Sequence, residues 1–279
     1  MIKRVKKEKS KAASYRDCIV TFIDILGFRN IVRERSPEEI QEIVNLVQRH
    51  AGSDEEELAR KDGFDFDHDT PWTRTSFFSD SVVRVRPYDA EIHDGSLFHE
   101  LLNLVHAQAE LVNQGIFIRG GLTAGKLYLR DNVLFGPAMI QAYDLESKFA
   151  NYPRIVIDPI AIDALKTDAR LRNEDHTPDE ELKSVRKLLR RGDDGLHYVD
   201  YLYAFRDEMD EYEEFPAFLK RVKNHIVANA TAASENLGIL QKYLWAAKYL
   251  NQTAKRFEDC KDQDSIRIND HDIPALAEA

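Results

Sequence analysis

Apolar positions along the chain fall into short continuous runs and longer helical stripes. Cys18–Ile25 is apolar or β-branched at nearly every position, which predicts a strand buried on both faces. Gly27-Phe28 ends it, and Ser36-Pro37-Glu38-Glu39 reads as a helix start, with Ser as N-cap, Pro at the first position and acids in the first turn. Ile40, Ile43, Val44 and Val47 follow at helical spacing. Thr73–Phe78 and Val82–Val85 predict a β-hairpin around Ser79-Asp80-Ser81, and 96–113 an amphipathic helix. Ile116–Leu122 predicts a strand ending among glycines, with a short second hairpin at Lys126–Leu129 and Asn132–Phe135. Pro137 opens a helix to about Ala150, Arg154–Ile157 is a strand, and Pro159–Leu165 a short helix. Further on, a basic helix is expected near Glu180–Arg190, a strand or strand pair over His197–Phe205, and helix from Glu213 to about Phe257 with a break near Gly238. This order fits an α+β sheet with helices packed on it.

Composition narrows the class. The 279 residues carry 39 Lys+Arg against 49 Asp+Glu, a net charge of −10. Seven of the basic residues lie in the first sixteen, so the body is more acidic still, which argues against broad nucleic-acid binding. No apolar run approaches the roughly 20 residues of a membrane span, and the basic start lacks the apolar core of a signal peptide. Two cysteines, Cys18 and Cys260, fit free thiols in a reducing, cytoplasmic compartment. The stretch 53–70 reads as an acidic loop; its Asp65, Asp67 and Asp69 lack the Gly and terminal Glu of a calcium loop. His50, His68 and His93 show no metal-ligand spacing.

Two acids stand where packing would not place them. Asp24 interrupts the apolar run, and Asp80 sits at the hairpin tip. A carboxylate at a buried strand end is unfavourable unless a cation or donor set meets it. Two of them on adjacent strand ends suit Mg²⁺, which prefers oxygen ligands and completes its shell with water and phosphate. Gly27 allows backbone N–H groups close to a phosphate. Read singly, Asp24 also fits a turn cap and Asp80 an ordinary hairpin-tip residue.

Together these segments resemble the class III nucleotidyl cyclase catalytic domain. The resemblance rests on Phe22-Ile23-Asp24-Ile25-Leu26-Gly27-Phe28, on Ser79-Asp80 where the family has Gly-Asp, on Gly121-Leu122-Thr123-Ala124-Gly125, and on Phe135-Gly136-Pro137-Ala138 leading to Leu145-Glu146-Ser147. It runs from about Asp17 to Ile157, more weakly to Tyr203, and implies a ferredoxin-like sheet with helices on one face. The implied organisation is a basic tail 1–16, a cyclase domain 17–210 and a C-terminal helical extension 211–279. The base-reading positions of purine cyclases fall here on Ser76 and Val133, and those of the transition-state Asn and Arg on Ile140 and Asp144. Within the family the chain is most similar to Pycsar-type bacterial pyrimidine cyclases, through Arg119-Gly120-Gly121, Ala142-Tyr143, Tyr198–Leu202 and Tyr243-Leu244-Trp245.

The resemblance implies conversion of UTP or CTP to a 3′,5′-cyclic monophosphate and pyrophosphate, in anti-phage signalling with a separate cyclic-nucleotide effector. It implies two Mg²⁺ or Mn²⁺ ions held by Asp24, Asp80 and the Ile25 carbonyl, and phosphates cradled by the backbone of Ile25, Leu26, Gly27 and Phe28. It also implies base recognition by Ser76 and Arg74, and a homodimer with sites at the interface. Phe78 or Phe135 is a candidate to stack on the base. Lys148 and Arg119 are candidates for the missing transition-state cation, with Lys126 and Arg74 behind them. A catalytically inactive cyclase-like nucleotide-binding module is the alternative.

Overall fold

The computed structural model describes residues 14–52, 73–89, 95–130, 133–261 and 263–273. The acidic stretch 53–70, with Asp65, Asp67, Asp69 and His68, lies outside them, as do most of the basic tail and His93.

A single mixed sheet organises the chain. Its strands are β1 (Arg16–Ile25), β2 (Arg74–Phe78), β3 (Ser81–Pro87), β4 (Ile118–Arg130), β5 (Val133–Phe135), β6 (Ile155–Ile157), β7 (Leu189–Arg191) and β8 (His197–Val199). They run in the order β2-β3-β1-β4-β6-β8-β7, with β5 paired to β4. Only β4 and β6 are parallel among the pairs; the others are antiparallel. The fold is thus α+β, as the pattern of the sequence implies.

Because β1 is apolar at both parities, both of its faces need cover. Ile19, Ile23 and Ile25 join a large core with helices α2 (Pro37–Ala51) and α3 (Ser96–Asn113). Cys18, Val20 and Phe22 face the other way, onto Ala138 and Ala142 of helix α4 (Pro137–Phe149). The expectation of helices on one face is corrected here: α4 occupies the opposite face. Among the described residues the remaining α-helices are α1 (Phe28–Glu34), α5 (Pro159–Thr167), α6 (Pro178–Lys187), α7 (Tyr201–Phe205), α8 (Phe215–Ala232) and α9 (Leu237–Ala254). Phe215, Phe218, Val222, Leu250 and Ile266, from the C-terminal part, share the large core with β1 and α3.

Local signals explain most elements. Ser36 and Glu39 form a reciprocal capping box at α2, and Thr177 and Glu180 one at α6. Inside the large core, Glu100 of α3 meets Arg84 at 2.9 Å and Arg86 at 3.3 Å. Burial acts to raise the Glu100 pKa, but the two guanidiniums more than offset it and hold the carboxyl below its usual range.

Four expected boundaries change. β4 runs unbroken from Ile118 to Arg130, because its glycines serve close packing rather than a break. The basic helix ends at Lys187, and Leu189–Arg191 is a strand; Arg190 donates to Gln252 Oε1 at 2.7 Å instead of capping a helix. His197–Val199 is a strand, but Tyr201–Phe205 is helical. Residues 28–34 form the short α1, which no cap side chain announces.

Candidate active site

The site lies where β1 ends beside the β2–β3 turn. The two-residue turn Ser79-Asp80 closes between Phe78 and Ser81, which are paired, and Ser81 stands opposite Asp24. The Asp80 carbonyl accepts from the Ile25 amide at 3.1 Å, clamping the hairpin tip to the end of β1. Ser79 adopts a left-handed backbone (φ 59°), which favours glycine.

The two carboxyl groups meet. The clamp and the β1–β3 register set Asp80 beside Asp24, whose carboxyl feels it. Burial pushes the Asp24 pKa up; Arg119 opposes this, and the charge and proximity of Asp80 add to it. Across the β1–β4 ladder, Asp24 is paired with Arg119. The guanidinium donates from Nε (3.2 Å) and Nη2 (3.1 Å) to Asp24 Oδ2, and from Nη1 to the Ala150 carbonyl (3.3 Å). Nη2 also lies 2.6 Å from Glu146 Oε1, as an ion pair rather than an aligned hydrogen bond. Burial raises the Glu146 pKa; Arg119 counters it, Asp24 adds to it, and Lys242 counters it in turn.

Gly121 makes this arrangement fit. A Cβ there would stand 2.4 Å from Leu145 Cβ and 2.7 Å from the Ala142 carbonyl, so only glycine lets α4 press onto β4. That contact carries Glu146, whose side chain is 5% exposed, to Arg119.

The backbone after Asp24 is partly committed. Ile25 N–H donates to Asp80, and Leu26 N–H to the Phe117 carbonyl at 2.8 Å. Of the four amides from Ile25 to Phe28 expected to cradle phosphate, those of Ile25 and Leu26 are thus already paired within the protein. Gly27 has φ 78°, and a Cβ added there meets nothing within 4 Å, so the approach is open. Behind this turn a cavity of about 380 Å³ opens between α1, α2 and the C-terminal helices, lined by Leu26, Gly27, Arg35, Glu42, Asn229 and Tyr243 among others.

The other expected residues are placed as follows. Ser76 and Arg74 lie on the same sheet face as Asp24 but about 12 and 16 Å away by standard sheet spacings. Lys148 is exposed and pairs with Asp144 at 2.8 Å, one turn back on α4. Lys126 pairs with Asp17 at 2.7 Å, far along the strand. Of the cation candidates, Arg119 is the one at the carboxylates. Phe135 is 48% exposed and stacks on Tyr128 at 4.7 Å. The Phe78 side chain lies outside the described part. Ile140 is 65% exposed.

Two members of the cluster were not singled out from the sequence. Glu146 stands in the sequence only as part of Leu145-Glu146-Ser147, although its place four residues after Ala142 marks the sheet-facing side of α4. Lys242 carries no local signal, since only the tertiary fold brings α9 to this end of the sheet.

A divalent metal suits this donor set. Two neighbouring carboxyl groups share the single charge of Arg119 with Glu146, and their oxygen donors suit Mg²⁺ or Mn²⁺. Among the described residues no group of three or more His, Cys, Asp or Glu side chains is arranged around a metal position. Both described cysteines are buried free thiols. No helix among the described residues is long and apolar enough to cross a membrane.

No protein-family model and no curated protein matches the chain. Among solved structures it is similar to the catalytic core of a rhodopsin-guanylyl cyclase with converted specificity in complex with ATPαS (16% identity over 68% of this chain and 98% of that one, TM-score 0.43). It is also similar to the guanylyl cyclase domain of the RhoGC fusion protein from the aquatic fungus Blastocladiella emersonii (14% identity, 67% and 95% covered, TM-score 0.41). A third is a bacterial light-regulated adenylyl cyclase (11% identity, 77% and 58% covered, TM-score 0.41). Overlaps of this size leave the function to the chain's own residues.

Proposed function

We propose that this protein is a nucleotide cyclase, converting UTP or CTP to the 3′,5′-cyclic monophosphate and pyrophosphate with two Mg²⁺ or Mn²⁺ ions. The observation that carries the reading is the backbone clamp of the hairpin tip onto the end of β1, which sets Asp80 beside Asp24. Asp24, Asp80 and the Ile25 carbonyl would hold the ions. Bound there, such ions would lower the pKa of the ribose 3′-hydroxyl and neutralise charge on the departing pyrophosphate. The 3′-oxygen forms a bond to the α-phosphorus, the α–β bridging bond breaks, and the hydroxyl proton leaves to solvent.

The chain's residues supply the positioning. The amides of Gly27 and Phe28 hold phosphate oxygens at the open end of the turn. Arg119 holds Asp24 and Glu146 in register, and its guanidinium would face the developing phosphate charge were Asp24 engaged by a metal. Ser76, Arg74 and Val133 support a pyrimidine over a purine, following the family resemblance of those positions. The distance of Ser76 from Asp24 fits a base read from the other subunit of a homodimer. Exposed Phe135, Ile140 and Tyr143 on β5 and α4 give such a dimer an apolar face. The organisation proposed is a cyclase domain, 17–210, with a C-terminal extension, 211–279, acting in the cytoplasm in anti-phage signalling through a separate effector.

Exposed Ile140 and the Asp144–Lys148 pair favour one competing reading, a nucleotide-binding module without chemistry. The test is pyrophosphate release from each of the four ribonucleoside triphosphates with Mn²⁺. Release from UTP or CTP alone supports the proposal. Release from ATP or GTP alone overturns the pyrimidine claim, and silence on all four leaves the inactive module.

A further inference from the structure

A lysine from outside the motif-bearing half of the chain stands in the field of the Asp24 centre. Lys242 is half-buried on α9. Its neighbour Tyr243 packs edge-on against Phe117, with ring centroids 5.4 Å apart. Trp245, three residues beyond Lys242, stacks on Tyr152 at 5.5 Å. Phe117 precedes Arg119 by two residues, and Tyr152 follows Ala150, whose carbonyl accepts from Arg119, by two. The turn of α9 that carries Lys242 is thus pinned on both sides of the Arg119 guanidinium.

Burial, and then the like charge of Arg119, push the Lys242 pKa below its ordinary value, while Asp24 and Glu146 hold it up. Arg119 bonds Asp24 and pairs with Glu146, and the turn of α9 that carries Lys242 packs beside the segments that hold Arg119 and Ala150.

We infer that Lys242 is a positioning residue of this centre, which weakens the carboxylates' hold on a bare divalent cation and favours a cation arriving with a triphosphate. The inference rests on the function proposed above and adds a residue of the C-terminal extension to its site. The reason is the sign of the charge. In a partly buried place a unit charge acts over several ångströms with an effective dielectric constant of about 20. An ammonium there repels a lone dication and attracts a polyanion. With Lys242 present, Asp24 and Asp80 are poorly loaded by metal until nucleotide phosphates supply the balancing charge.

The test uses the full chain. Binding of Mn²⁺ alone is followed by electron paramagnetic resonance, and binding of inorganic tripolyphosphate in the presence of Mn²⁺ by calorimetry. Lys242→Met keeps the apolar stem and removes the charge. It is expected to tighten Mn²⁺ about threefold to tenfold and to weaken tripolyphosphate by about as much. Lys242→Arg is expected to restore both. Opposite movement with rescue supports the inference, even where UTP and CTP are not turned over, so the reaction is judged separately. Mn²⁺ binding that Asp24→Asn abolishes but Lys242→Met leaves within twofold of wild type overturns the role of Lys242 and spares the function. Both affinities falling together in both Lys242 variants overturns it too, since that is what mere packing of α9 gives. Mn²⁺ binding insensitive to Asp24→Asn overturns the metal reading, and the role of Lys242 with it.

Discussion

Arg119 stands opposite Asp24 across the β1–β4 ladder and places two hydrogen bonds, 3.2 and 3.1 Å, on a single carboxylate oxygen. The same Nη2 lies 2.6 Å from Glu146, so one guanidinium ties a strand end to a helix. Removing it leaves two carboxylates where burial already disfavours charge. Arg119→Met should lower stability by about 2–3 kcal/mol at pH 7.5, below the range for fully buried pairs because the side chains keep some exposure. Urea unfolding measures this, and the loss should shrink on acidification as Asp24 and Glu146 take up protons.

The pH dependence has a definite sign. Burial raises the folded pKa of both Asp24 and Glu146 above the unfolded value. In that window the folded state binds more protons, so stability falls as pH rises from the ordinary carboxylate pKa through the raised one. Asp24→Asn removes the ionising group and should raise the Tm of the metal-free protein by about 2–4 °C at pH 7.5, with the gain vanishing near pH 4. Mn²⁺ added together with tripolyphosphate should raise the Tm of the wild type and not of the variant. Differential scanning calorimetry at the two pH values checks both statements.

Gly121 sets the distance between sheet and helix. Gly121→Ala brings a methyl group to 2.4 Å from Leu145 Cβ, and the helix must retreat. The expected outcome is a loss of about 1–3 kcal/mol from overpacking, with a fall in turnover larger than the stability change explains, because Glu146 moves with the helix. Urea unfolding and initial rates on one preparation separate the two effects.

Ser79 holds a left-handed backbone beside Asp80 at the hairpin tip. Ser79→Gly relieves that conformation and should stabilise the protein by about 1 kcal/mol, offset in part by the greater freedom of glycine in the unfolded chain. A shift in the urea midpoint with unchanged slope is the expected reading.

These sites also show what the sequence conveys and what it withholds. β1, the Ser36 capping box, the β2–β3 hairpin, α3 and α4 are legible because their signals are local: a doubly apolar run, a cap with its reciprocal acid, helical stripes of the right length. Helix α1 is missed because its N-cap is Gly27, with no side chain to announce it. β4 is read as broken because Gly120, Gly121 and Gly125 look like punctuation, whereas Gly120 and Gly121 allow close approach of Phe22 and α4. In the site, Asp24 and Asp80 stand out as polar residues against apolar strands. Glu146 and Lys242 do not, because their roles depend on which face of α4 meets β4 and where α9 crosses the end of the sheet.

The proposal turns on where a dication binds. Crystals soaked in Mn²⁺ with UTP, measured for anomalous scattering, locate it without reference to activity. The account predicts density bridging the carboxylates of Asp24 and Asp80, about 2.2 Å from an oxygen of each, with Arg119 withdrawn toward Glu146. Density bound elsewhere, with the Arg119–Asp24 pair still closed, would contradict it.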